Sequence, residues 1–193
     1  MWIQLLNKVL KRFLLLMLSV GLCLSSFSYA QLPEEDEYKI KAAFLFNISK
    51  FVDWPSDAFS NESAPILMGI LGEDPFGDFL NFVEDKTIKG RHVVVKNFKA
   101  PQDVLFCHVL FICQSEKNKV SNYFPELNVN GMLTIGDMEG FAQNGGMINL
   151  IKLDDKIHFE INVDAAENSG LVISSKLLNL ARIIKNPNTK REN

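Results

Sequence analysis

The sequence predicts an α/β fold: a single domain in which a mixed β-sheet is flanked by helices on both faces. Segments rich in Val, Ile and Phe alternate with segments of helical apolar spacing, the order that builds a parallel sheet with helical crossovers. Two alternating runs then meet at Asp154-Asp155 and read as a β-hairpin, so the sheet is expected to be parallel in its centre and antiparallel at one edge. The composition agrees with a packed core, at 47% hydrophobic and 22% charged over 193 residues, and excludes disordered, collagen-like and disulfide-framework classes. A formal charge of -3 argues against a nucleic-acid binder that works through a basic face.

Residues 1–30 read as a cleaved signal peptide. Lys8, Lys11 and Arg12 form a positive start, Phe13 to Leu24 is an apolar run, and Ser28 and Ala30 supply the small residues of a cleavage site after Ala30. The run is about 12 residues, short of the roughly 20 that span a bilayer. Removal leaves 163 residues and takes away three cations and no acid, so the charge moves from -3 to -6. The expected organisation is a signal peptide over 1–30, one α/β domain over 31–185 and a flexible tail over 186–193 of a periplasmic protein.

Acidic residues before Tyr38 suit a helix N-terminus, and the apolar spacing that follows predicts a helix from about 34 to 52, ended by Trp54-Pro55. Ile66–Leu71 reads as a buried strand, Phe76–Glu84 as an amphipathic helix, and Arg91–Phe98 and His108–Cys113 as strands. Ser115–Phe124 reads as a helix and Gly131–Gly136 as a strand. The hairpin follows, then a short helical piece near Asp164–Asn168, then a last helix from Lys176 to Ile184 capped by Ser174-Ser175.

Cys107 and Cys113 are the cysteines of the mature chain. On one strand they would stand about 20 Å apart, beyond the reach of a disulfide, so both are expected as free thiols. No nucleotide, zinc-protease or serine-hydrolase motif occurs, and no catalytic, cofactor or metal constellation is expected. His158 and Glu160 share a strand face, which suits either an acid-base or metal pair or a surface hydrogen bond.

Three stretches carry a family resemblance. Tyr38-Lys39-Ile40-Lys41-Ala42-Ala43-Phe44-Leu45-Phe46 through Phe51-Val52-Asp53-Trp54-Pro55 resembles the opening signature of the YfiR-like family. Gly145-Gly146-Met147-Ile148-Asn149, Phe159-Glu160-Ile161-Asn162-Val163-Asp164-Ala165-Ala166 and Ile173-Ser174-Ser175-Lys176-Leu177-Leu178-Asn179-Leu180-Ala181-Arg182 are similar to its closing signature, and Cys107-His108-Val109-Leu110-Phe111-Ile112 to a central strand. The resemblance spans roughly residues 38–184. It implies a small, non-catalytic, often dimeric periplasmic regulator. Such a protein binds the periplasmic sensor region of an inner-membrane diguanylate cyclase of the YfiN type, inhibits it and lowers cyclic di-GMP. An outer-membrane lipoprotein of the YfiB type can sequester it. The family's central cysteine falls at Cys107, for which the sequence shows no disulfide partner.

Such a regulator needs a docking surface rather than an active site. Glu160, Asn162 and Arg182 are polar residues in apolar surroundings, suited to orient a partner or to fix the last helix internally. Trp54 suits an interface anchor or the closing side chain of the core. The competing reading is a periplasmic ligand-binding accessory protein of another membrane receptor or kinase, which a deep pocket with converging polar groups would favour.

Overall fold

The computed structural model describes Trp2 and residues 34–185. The expected signal peptide, Trp2 apart, and the expected tail lie outside the described residues. Among the described residues no helix is long and apolar enough to cross a membrane.

The elements alternate as the sequence predicts, in a single α/β domain. Helix α1 (Glu34–Ser49) is followed by β1 (Val52–Asp53), β2 (Ile66–Leu71), α2 (Asn81–Glu84), β3 (Thr87–Ile88), β4 (Arg91–Phe98), β5 (Val109–Ile112), α3 (Val120–Glu126) and β6 (Leu133–Gly136). Then come β7 (Ile148–Leu153), β8 (Lys156–Asn162), α4 (Val163–Asn168), β9 (Val172–Ile173), α5 (Ser175–Leu178) and β10 (Arg182–Ile184). Eight strands form one sheet in the order β10-β8-β7-β6-β5-β2-β4-β3. The run from β7 to β4 is parallel, while β8 is antiparallel to β7 and β3 antiparallel to β4. Antiparallel pairing thus occurs on both flanks, where the sequence suggested one.

The sheet separates two apolar cores. Tyr38, Ala42, Leu45 and Ile48 of α1 pack on one face with Met68, Ile70, Val109 and Phe111. Leu71, Leu110 and Ile112 point to the other face and meet Val120, Tyr123, Leu127 and Phe141. The alternation of Val109, Leu110, Phe111 and Ile112 between the cores is the two-residue period of a strand covered on both sides.

Four expectations are corrected. Helix α1 ends at Ser49 rather than near residue 52, because Val52 and Asp53 pair antiparallel with Ile173 and Val172 in a two-stranded sheet. The segment read as helix Ser115–Phe124 divides into a 3-10 turn, Gln114–Glu116, and α3. The helix read over Phe76–Glu84 likewise opens as a 3-10 turn, Gly77–Leu80, before α2. The largest change is at the end. Ser174 caps α5 by accepting the Lys176 N–H, but the helix stops at Leu178, and Arg182–Ile184 pair in parallel with Glu160–Asn162. The β-branched pair Ile183-Ile184 suits a strand, and β8 would otherwise leave its outer backbone groups unpaired.

Candidate functional site: the row beside edge strand β10

The hairpin is built by a two-residue turn. Asp154 and Asp155 both take positive φ, 48° and 57°, which matches the right-handed twist of the flanking strands. That turn fixes the register, so Asn149 faces Glu160 and Ile148 faces Ile161. Adjacent pairings extend the row: Gly136 of β6 lies beside Asn149, and Arg182 of β10 lies beside Glu160.

The polar side chains of this row are linked. Asn149 Oδ1 accepts the Met138 N–H at 3.1 Å, and Asn149 Nδ2 donates to Glu160 Oε2 at 3.2 Å. Glu160 Oε1 has no well-directed hydrogen bond, and its charge is met by an ion pair with Arg182 Nη2. Glu160 is 1% exposed, whereas the Arg182 side chain is 65% exposed. One end of this pair is therefore buried and the other lies in solvent. A buried carboxylate stripped of its cation is costly, so Arg182 both covers Glu160 and presents charge outward.

Asn162 has an internal role. It is fully buried, its Oδ1 caps α4 by accepting the Ala165 N–H at 3.0 Å, and its Nδ2 donates to Ala142 O at 2.8 Å. Glu160 and Asn162 thus face inward, and Arg182 is the member of the trio open to a partner. Trp54 stands elsewhere: its Nε1 donates to His108 O at 3.1 Å, at the start of β5, and its ring meets Phe59 and His108 edge-on. The structure brings together Glu160, Asn162 and Arg182 and leaves Trp54 at the opposite end of the parallel strands. His158 is exposed on the hairpin and Glu160 is buried beneath the row.

Sequence reasoning missed Asn149, although a two-residue turn at Asp154-Asp155 already places it opposite Glu160. It also missed the apolar side chains that flank Arg182. Leu180, just before β10, is 76% exposed and Ile183, on β10, is 41% exposed; the outer side of that strand is unpaired among the described residues. Ile183 pairs with Ile161 and so faces the α1 side of the sheet. There Phe44 tilts onto Phe159 with centroids 6.0 Å apart, and Ile40, Ala43 and Phe44 line a shallow, mostly apolar groove.

A second buried polar group ties α1 to the sheet. Asp137 Oδ2 accepts Tyr38 Oη–H at 2.9 Å and Lys41 Nζ–H at 2.6 Å, and Lys41 also pairs with Glu37 at 2.6 Å. Lys152 of β7 reaches Glu37 at 3.3 Å. Burial would raise the Glu37 carboxyl, but the ammonium groups of Lys41 and Lys152 hold it below its ordinary value. Burial first, and then the charge of Asp137, push the Tyr38 hydroxyl far up. Among the described residues no group of three His, Cys, Asp or Glu side chains is arranged to hold a metal.

Comparison with known proteins places this geometry in context. Residues 38–182 match the family model described as YfiR/HmsC-like. No curated protein matches the chain. A solved conserved domain protein from Vibrio cholerae is 12% identical with a TM-score of 0.51, covering 76% of this chain and 59% of its own. The ABC domain from Streptococcus pneumoniae, solved in complex with L-Trp, is 12% identical with a TM-score of 0.48, covering 74% of this chain and 60% of its own. The chain thus spans about 60% of the length of each of these solved chains, and the Vibrio likeness speaks to fold alone.

Proposed function

The chain belongs to the YfiR/HmsC-like family, whose members are periplasmic regulators rather than catalysts, and from that premise we propose that it docks on the periplasmic sensor region of a membrane diguanylate cyclase of the YfiN type and holds it inactive. The single observation that carries the reading is the open strand β10, with Arg182 set over a buried Glu160 and exposed Leu180 and Ile183 beside it. An unpaired strand offers backbone groups for β-addition, its apolar side chains supply area, and one charged side chain sets orientation. Regulation of this kind requires only that the chain bind one state of the cyclase better than the other. Moving an equilibrium from 1:99 to 99:1 takes about 5.5 kcal/mol of differential affinity. An outer-membrane lipoprotein of the YfiB type would relieve inhibition by covering the same edge.

The test is capture of the cyclase sensor region by the full chain, comparing wild type with Leu180→Asp, a substitution at a side chain that packs against little. Wild type is expected to retain the sensor region and Leu180→Asp to lose it. Deletion in the native host is expected to raise cyclic di-GMP. Unchanged cyclic di-GMP on deletion overturns the inhibitor reading, and equal capture by Leu180→Asp moves the interface away from β10. Capture of a second copy alone would assign the edge to dimer formation instead.

A further inference from the structure

Three segments meet at the amino ends of β5 and β6: the loop after β1, the approach to β6 and the end of α4. Between them lies a cleft of about 680 Å³, within the size range of small-molecule sites. Its shape is set by the backbone. Gly131 N–H donates to Ser169 O at 2.8 Å, which joins the approach to β6 to the end of α4. Gly131 and Gly170, at φ +66° and +74°, turn the chain there, and both stand against Pro55. The loop after β1 is held from two sides. Arg91 Nη1 donates to Asn61 O at 2.9 Å and to Ala64 O at 2.8 Å, and His108 Nε2 meets Ala58 O at 3.1 Å. The walls of the cleft are thus fixed without a ligand, which lowers the cost of binding one.

The polar groups of the cleft are left without partners. Ser169 is only 4% exposed and lines the wall, yet its hydroxyl makes no hydrogen bond among the described residues. Buried hydroxyls are normally paired, and here the cleft is the direction from which a partner can come. Asp57, Asn130 and Asn168 line the same space, and their side chains also make no hydrogen bond or ion pair among the described residues. Asn128 Oδ1 accepts the Asn130 N–H at 3.3 Å, which shapes that loop and leaves the Asn130 amide free. The apolar wall is Phe106, 37% exposed, whose ring meets His108 edge-on at 4.8 Å. No lysine, arginine or histidine lines the cleft, so an anionic ligand would meet no countercharge there. Hydroxyl groups suit this set because each both donates and accepts. Neighbouring hydroxyls of one sugar ring can pair with two carboxamides, a carboxylate and a serine while the C–H face of the ring lies on Phe106.

We propose that this cleft binds an uncharged sugar, with Asp57, Asn130, Asn168 and Ser169 holding its hydroxyls and Phe106 its ring face. The cleft is separate from the β10 edge, so it can be tested whether or not the cyclase is the partner. Titration of the isotope-labelled protein followed by amide NMR is the direct measurement. Cellobiose serves as the plain hexose disaccharide, N,N′-diacetylchitobiose as its acetamido counterpart, and capped trialanine as a ligand that offers amides alone. Saturable shifts of the Gly131, Ser169 and Gly170 amide signals are expected with at least one disaccharide and not with the peptide, and the preferred disaccharide identifies the sugar class. Asp57→Ala should weaken that binding about tenfold, the loss of one charge-assisted contact. Ser169→Ala, which keeps the backbone tie to Gly131, should weaken it as well. Glu73→Gln, at an exposed carboxylate just beyond β2, should leave it unchanged. Absence of saturable shifts with both disaccharides overturns the proposal. So does binding of the peptide in place of the sugars, or unchanged affinity in both cleft variants.

Discussion

Asn149 and Glu160 face each other across the β7–β8 hairpin, and the 3.2 Å bond between their side chains joins a loop of one core to the charge carried by the edge strand. Asn149 Oδ1 holds the Met138 N–H, and Glu160 faces Arg182, so one lateral row connects β6 to β10. Removing the Glu160 side chain therefore severs two contacts at once. Glu160→Ala should destabilise the protein by about 1–3 kcal/mol in urea unfolding, because it strands a buried amide donor. Glu160→Gln keeps a partner for Asn149 and should cost under about 1 kcal/mol. Equal costs for the two would show that the Arg182 charge, and not the hydrogen bond, dominates.

His108 should make stability fall on acidification. Its Nδ1 accepts the Leu67 N–H at 3.0 Å and its Nε2 faces Ala58 O at 3.1 Å, so both nitrogens are used by the neutral ring. Burial lowers its pKa below the ordinary 6.5 despite the Ala58 carbonyl. The unfolded chain then binds the proton more readily than the folded one. The His108 contribution is complete above about pH 6.5 and is lost as pH falls toward the depressed folded value. Unfolding midpoints in urea between pH 7.5 and 5.5 should show this slope, and it should shrink in His108→Gln.

Lys41 should be the most sensitive lysine in the chain. It is 4% exposed and balanced by Asp137 and Glu37. Asp137→Ala removes the more buried of those anions and leaves a buried ammonium, at a cost of about 3–5 kcal/mol. The double change Lys41→Met with Asp137→Leu should recover most of that loss, since a buried ion pair replaced by apolar side chains is often neutral or better. Thermal unfolding of the single and double variants would check it, and failure of the double change to recover would point to a specific need for the Tyr38 hydrogen bond.

Cys107 and Cys113 should react slowly with thiol reagents in the native protein. Burial pushes the Cys107 thiol up to about 12 and raises Cys113 as well, which removes the reactive thiolate at neutral pH. The two lie in different cores, Cys113 beneath α1 and Cys107 on the opposite face. Labelling should be minimal in buffer and reach both residues in guanidinium without reductant. A failure to label after unfolding would mean that the thiols are oxidised.

The parts of this architecture that were legible in the sequence are those fixed by local pattern. Ile66–Leu71 read directly as a strand because it is a short apolar run and Arg91–Phe98 because Val and Phe cluster there, and Asp154-Asp155 marked a two-residue turn that sets a register. The end of the chain was not legible in this way. Leu177, Leu178, Leu180, Ala181 and Ile184 satisfy a helical period, and nothing local shows that β8 has an open side to be filled. Strand β10 is the product of a vacancy left by residues some twenty positions earlier. The role of Glu160 was undecidable for the same reason, since its cation arrives only through that strand pairing. Asp137 gave no local signal because its partners, Tyr38 and Lys41, lie nearly a hundred residues away.

The placement of β10 also has a consequence for assembly. It is the last strand among the described residues, and it follows the hairpin, α4 and α5 in the sequence. Until it docks, the Glu160 carboxylate has no countercharge and the outer side of β8 is bare. A chain delivered from its N-terminus would therefore receive last the strand that we propose as its docking edge. Immature or C-terminally clipped molecules would lack that edge, and under the proposed docking mode they could not compete for the partner.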